Sequence, residues 1–291
     1  MSAAVPALLL HQAIAARHGE GEVRWRTASP NFPDAWKDRL EELMRLFGPR
    51  PTGVLCPEAM LVLPFDGRNV VIARLADLDA VAGQTPNVLG FHFLILPEHD
   101  YDGWGADPFA ILQTVPPAWE QRQPLAECWT PPLPVRRTVA EVCAVLKRED
   151  GPVFLGATQA ILDGGRIAWK RQQPDNSLLQ NLWMLLPYST RRELAVASFS
   201  FNPTLDLHAV IVPAEVASRL DARYISEAQA EHYPEGQYEL GLQIAAESGD
   251  QRALDGLFAR RSRRETMRLG LWLLIGLILT TVAVGLLQLL G

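Results

Sequence analysis

The sequence predicts an α+β fold: mixed or antiparallel sheets with helices in two subdomains, followed by one C-terminal transmembrane helix. Three observations predict it. Strand-like runs sit in pairs around short turns, beside amphipathic helical stretches and without regular alternation, which argues against a doubly wound parallel sheet. A proline-dense stretch interrupts the chain near its middle. Residues 269–291 carry no charged side chain.

The elements follow in order. Residues 3–10 are apolar but short, broken by Pro6 and preceded by no basic residue, so they read as a first buried strand and not as a secretory signal. ALLLHQAIA and EVRWRTAS read as strands around the polar turn RHGEGE. DAWKDRLEELMRLFG places Trp36, Leu40, Leu43, Leu46 and Phe47 at helical spacing, with Pro33 ahead and Gly48 at the stop. AMLVLPF and NVVIARLAD flank DGRN as a hairpin, and VLGFHFLIL, β-branched and aromatic, reads as a strand central in its sheet. Residues 116–137 hold PP, P and PPLP, which exclude regular helix and interior strand, and they read as a linker between an N-terminal domain (1–115) and a second one (138–248).

Beyond the linker, TVAEVCAVLKR, GPVFLGATQAILDGG and NSLLQNLWMLLP read as helices, and RIAWKR, ELAVASFSF and LHAVIVP as strands. Residues 226–236 are polar and read as loop. QYELGLQIAAESGD and ALDGLFARRSRRETMR read as helices, residues 249–268 forming a basic juxtamembrane helix that runs straight into the span.

The span is apolar on every side, whereas a buried soluble helix would be apolar on one stripe. At ~1.5 Å rise per residue, 269–291 covers a ~30 Å hydrocarbon layer. Arg260, Arg261, Arg263, Arg264 and Arg268 precede it and nothing basic follows, so the preceding chain is expected on the cytoplasmic side of an inner membrane, single-pass, with these arginines on anionic lipid headgroups.

The totals set limits on function. The chain has 291 residues, 48% hydrophobic and 21% charged, and a formal charge of −6, which argues against a nucleic-acid partner bound through a general basic field. Cys56, Cys128 and Cys143 have neither CxxC spacing nor histidines at metal-ligand offsets and read as reduced thiols. Walker A, GxGxxG, HExxH and zinc-knuckle patterns do not occur, and no cofactor is expected.

HFLILPEHDYDGWGAD gathers His92, His99, Asp100, Asp102 and Asp107 around Tyr101 and Trp104. His92, His99 and Asp102 are the candidate catalytic set of a membrane-tethered hydrolase-like or metal-dependent enzyme, which would need them to converge in a cleft. The plainer reading puts His92 on a strand and HDYDGWGADPF in a polar turn, with Asp107 capping a helix begun by Pro108. His11 and Gln12 interrupt an apolar strand and read as hydrogen-bonded core positions. LDGGR reads as a hairpin or helix stop. Ser198 and Ser200 lack the setting of a nucleophile elbow. YSTRRE reads as a helix start with Ser189 as N-cap and Arg191 and Arg192 facing solvent.

The phrases LLLHQAI, PNVLGFHFLILPEHDYDGWGADPFAIL and ILDGGRIAWKR followed by LWMLLPYSTRRELAVASFSF resemble the N-terminal and middle regions of GTPase-associated protein 1, a bacterial family of GTPase-centred conflict or defence systems. The resemblance spans about residues 7 to 213. The element order with an anchored tail is also similar to membrane proteins of planctomycete type. The turn after the first strand is shorter here than in the family. What the resemblance implies is an adaptor-like α+β module that binds a protein partner, without catalytic residues to carry over.

Overall fold

A computed structural model of the chain describes residues 7–19, 21–80, 86–130, 136–260, 266–267, 270–278 and 280. The fold is mixed α+β, as the sequence predicts, around one large mixed sheet.

Local pairing builds one end of the sheet. β1 (Leu8–Leu9) is a short strand ahead of β2 (His11–His18), which turns at Gly19 into β3 (Glu22–Ala28) with a bulge between Ile14 and Ala15. Gly19 sits at φ +55°, a left-handed conformation that glycine adopts without strain. Helix α1 (Asp34–Leu46) packs Leu40, Leu43 and Met44 inward. β4 (Ala59–Phe65) and β5 (Asn69–Asp77) form the expected hairpin, its turn stapled by Asp66, whose carboxylate accepts from the backbone of Arg68 and Asn69. β6 (Val88–Pro97) pairs with β5 on one side and β2 on the other, both antiparallel.

β6 is interior but lies third from the β3 edge. β4 is the middle strand of nine. β5 and β6 are buried almost throughout, as strands covered on both faces must be.

Where a polar turn was expected after β6, α2 (Glu98–Gly103) forms, held by short-range backbone bonds that seat Trp104 and Ala106 on it. Asp107 then caps α3 (Pro108–Thr114), accepting from Phe109 and Ala110 N–H, as the sequence predicts. The described part of the proline-rich stretch lies across the sheet. Leu10 N–H donates to Glu127 O (2.8 Å), Leu125 N–H to Ala28 O (3.2 Å), and β7 (Cys128–Trp129) pairs with β1.

The remaining elements are α4 (Val139–Leu146), α5 (Gly151–Leu162), β8 (Arg166–Lys170), α6 (Asn176–Leu185), α7 (Tyr188–Glu193), β9 (Val196–Ala197), β10 (Ala209–Val212), α8 (Ala214–Ala217), β11 (Tyr224–Ile225), α9 (Glu227–Glu231), α10 (Gln237–Ser248) and α11 (Gln251–Phe258). Thr138 and Glu141 cap α4 reciprocally. At LDGGR the chain makes a helix stop: Gly164 takes φ +89°, and Gly164 and Gly165 N–H donate back to Ile161 and Ala160 O.

The strand order is β11-β8-β10-β9-β4-β5-β6-β2-β3. β8, β10, β9 and β11 pair in parallel, and β9 joins the antiparallel half by pairing with β4. The sheet is therefore continuous across the stretch at which the sequence places its domain boundary, and buried apolar residues from both sides form one cluster. At the seam, Met60 N–H donates to the Ser198 hydroxyl (2.7 Å) and Ser198 N–H to Met60 O (2.8 Å).

Three local expectations are corrected. Residues 226–236, expected as loop, contain α9, because Ser226 and Gln229 form a reciprocal capping box. Ser189 is not an N-cap; Pro187 holds that position, and the Ser189 hydroxyl donates to Arg260 O (2.6 Å). α11 ends at Phe258, before the arginine cluster, instead of running on into the tail. Arg261, Arg263, Arg264 and Arg268 lie outside the described residues, as do residues 3–6 of the first expected strand.

Much of the expected span 269–291 also lies outside them. Its described part, residues 270–278 and 280, is helical and exposed. Among the described residues no helix is long and apolar enough to cross a membrane.

Candidate functional site

The histidines and aspartate singled out in the sequence occupy three different settings. His92 lies on β6, 1% exposed, with Nε2 3.1 Å from Gln12 Oε1 and its ring edge-on to Trp119. Its pKa is pushed down to about 4, first by burial and then by the Arg74 charge. His99, on α2, is exposed, with Nε2 3.1 Å from Asp100 Oδ1. Asp102 faces Arg192 (3.4 Å), which also approaches Glu98 (3.9 Å). Each group is taken up in its own local contact. Among the described residues no group of three or more His, Cys, Asp and Glu could hold a metal.

Gln12, His92 and Arg74 share one face of the sheet through the β2–β6–β5 register. Gln12 Nε2 donates to Ala126 O (2.8 Å), and Arg74 donates to Leu112 O (2.6 Å) and Val115 O (3.0 Å). These side chains satisfy carbonyls that the proline-rich stretch and the end of α3 would otherwise bury bare. Gln12 is thus the hydrogen-bonded core residue the sequence predicts. His11 packs edge-on against Trp36 (5.2 Å), its pKa lowered by burial.

A cavity of about 860 Å³ opens between the end of α5, β8, α7 and the start of the C-terminal segment. Gln159, Arg166, Glu193, His208, Arg260 and Thr266 are among its walls. None of His11, His92, His99 and Asp102 lines it. His208 Nδ1 accepts Ala195 N–H (3.0 Å), which fixes a neutral ring with its proton on Nε2. Burial and then Arg166 lower the His208 pKa. With its lone pair engaged by backbone, this imidazole offers the cavity a donor and not a base. Arg166 is ion-paired with Asp206, and Gln159 Nε2 donates to Asp163 (3.1 Å). Donors and charges of both signs therefore meet here. All three cysteines are free: Cys56 is buried with its thiol pKa pushed up by burial and then by Asp77, and Cys143 Sγ donates to Ala246 O (3.1 Å).

The residues that sequence reasoning misplaced are arginines. Arg191, expected at the surface, is 2% exposed. Its Nε and Nη2 donate to Trp183 O and its Nη1 to Gly105 O (3.3 Å), tying α6 to the loop before α3. Burial and then Arg137 push its pKa down to about 9. Arg137 donates to Met184 O (2.9 Å) and Leu186 O (2.7 Å) while its guanidinium lies 3.4 Å from the centre of the Phe258 ring. The two cations bind the carbonyl end of α6, where the helix dipole is negative, and clamp α11. The available signal was faint: each arginine stands beside apolar runs, but nothing local names the carbonyls it meets.

No protein-family model matches the chain, and no curated protein matches its sequence.

Proposed function

We propose that this chain is a single-pass, C-terminally anchored protein of the inner membrane. In this reading its folded domain lies on the cytoplasmic side and works as a non-enzymatic protein-interaction module, within a GTPase-linked conflict or defence system. The observation that carries the anchor is the exterior of the C-terminal helix. Leu271, Trp272, Leu273, Leu274, Leu277 and Ile278 point around its perimeter and all are exposed, from 53% to 69%. Apolar surface on every side of a helix has no stable home in water and a good one in lipid. The Thr280 hydroxyl donates back to Leu277 O (2.8 Å) and Gly276 O (3.1 Å), so it enters hydrocarbon already satisfied.

The module reading is supported by how the polar candidates are used: His92, Gln12, Arg74 and Arg191 hold segments of the domain to one another. The GTPase link rests on the sequence phrases that resemble GTPase-associated protein 1. The Ser189 hydroxyl donates to Arg260 O (2.6 Å), which holds the start of the basic segment against the domain and supports a module close to the bilayer in this reading.

Washing membranes of producing cells with alkaline carbonate tests the anchor. The full chain should stay with the membranes and a chain ending at residue 268 should be released. Recovery of the full chain in the wash would end the anchor reading. Affinity purification of the detergent-solubilised full chain tests the module; failure to recover a reproducible protein partner would count against it.

A further inference from the structure

A second cavity, about 320 Å³, opens on the α1 side of β2, lined among others by Arg17, Arg50, Thr52, Asn87 and Leu89. It is unlike the larger cavity in charge. Its ionisable walls are both guanidinium groups, and none of its lining residues is acidic. Arg17 is 2% exposed and has no carboxylate partner among the described residues. Its Nη1 and Nη2 donate to Met44 O and Gly48 O (2.7 Å), the carbonyl end of α1, and its Nε has no partner.

A guanidinium has more N–H groups than two carbonyls use, so part of this fork is held in place without being consumed. The dipole of α1 and the Phe91 ring, 5.9 Å from the guanidinium, compensate only a fraction of the Arg17 charge. Arg50 has its own partner: Asp77, itself buried, takes Nη1 and Nη2, while Val54 O accepts from Nη1 (2.9 Å). The Arg50 charge still reaches Arg17, whose pKa is pushed down to about 10, mainly by burial. Arg17 remains a cation at neutral pH, desolvated beside a second cation, and a buried charge in that position is costly without an anion. Thr52 and Asn87, both exposed at the rim, add a hydroxyl and an amide whose side chains have no hydrogen-bond partner among the described residues.

We propose that this cavity binds a phosphoryl group, with Arg17 at its floor, Arg50 on its wall and the Thr52 hydroxyl and Asn87 amide at its mouth. Arginine forks match phosphate oxygens in geometry as well as charge. Leu89 and the volume leave room for a small organic portion beyond the phosphoryl group, at the lower end of ligand-site sizes. A soluble phosphate monoester and a phospholipid headgroup share this chemistry.

Calorimetric titration of the full chain in neutral detergent, at fixed ionic strength, tests the proposal. The probes are inorganic phosphate, glycerol 3-phosphate and monomeric short-chain phosphatidic acid. Saturable binding at one site is expected for at least one of them. Preference for phosphatidic acid over glycerol 3-phosphate by tenfold or more assigns a lipid headgroup; comparable affinities assign a soluble ester. Asn87→Asp and Thr52→Glu, both at exposed positions, place a carboxylate at the mouth and should weaken binding at least tenfold with an unchanged unfolding midpoint. Arg17→Lys keeps the charge but loses the fork and should weaken it as well. No binding of any probe, or binding that survives Asn87→Asp and Thr52→Glu unchanged in folded protein, overturns the proposal.

Discussion

Replacing Gly156 by alanine should destabilise the fold, although it puts a better helix former in the middle of a helix. A Cβ built on Gly156 meets Ala230 O at 1.8 Å, Ala230 C at 2.8 Å and Tyr233 Cβ at 3.1 Å. The first two are backbone atoms of Ala230 in α9, so no rotamer change relieves them. α9 would have to retreat from α5 by more than an ångström, and Ala230, fully buried, would lose its seat. Forced overpacking of this kind costs about 3 kcal/mol. The helix-propensity gain of glycine to alanine returns about 1 kcal/mol. The net effect is a loss of about 2 kcal/mol, or roughly 4–8 °C in Tm for a domain of this size. Gly256 provides the control. It lies in α11 with nothing within 4 Å of its Cβ, so Gly256→Ala should raise stability by about 0.5–1 kcal/mol. Thermal unfolding of both variants, followed by near-ultraviolet circular dichroism in one detergent, reads the two signs. A Gly156→Ala protein as stable as the parent would refute the close approach of α5 and α9.

Other expectations follow from single contacts. Ser198→Ala leaves Met60 N–H buried without its acceptor and should cost about 2 kcal/mol in urea unfolding. Tyr238→Phe removes the donor to Leu185 O (2.6 Å) and should cost about 1 kcal/mol by the same measurement. His92 gives a pH signature. Its folded pKa lies below the unfolded one, so the unfolded chain binds a proton that the folded chain refuses, and stability falls as pH drops from about 6.5 toward about 4. The loss from this group by pH 5 is about 2 kcal/mol, and His92→Gln should flatten that part of the urea-midpoint profile. Arg137→Met should release α11, seen as faster proteolysis after residue 249, because it loses the guanidinium that lies against the Phe258 ring.

What the sequence disclosed divides by distance along the chain. The β2–β3 and β4–β5 hairpins were legible because their pairing is local and turn residues mark it. α1, α5 and α10 were legible from periodicity, and the Asp107 cap from its neighbour Pro108. α9 was missed although Ser226 and Gln229 carry its capping signature, because polarity over 226–236 outweighed a four-residue signal. The parallel pairing of β8, β9, β10 and β11 was not legible, since two-residue strands such as β9 leave no periodicity. Arg191 and Arg17 were beyond reach for a related reason: the same residue caps a buried helix end or faces water according to which carbonyls arrive from elsewhere. The plain readings of Gln12 and of LDGGR needed no distant information. They are also the ones the geometry matches.

The seam between β4 and β9 has a consequence for synthesis. β4 completes its hairpin with β5 as soon as residue 77 is made, but the partner of its other edge includes Ser198, 138 residues after Met60. At about 5–20 residues per second the ribosome takes roughly 6 to 24 seconds to deliver it. Throughout that interval a buried, apolar strand edge (Leu61 and Val62) stands open in the nascent chain. Such an edge invites pairing with a second nascent chain, so production should be sensitive to polysome crowding and to trigger-type holdases.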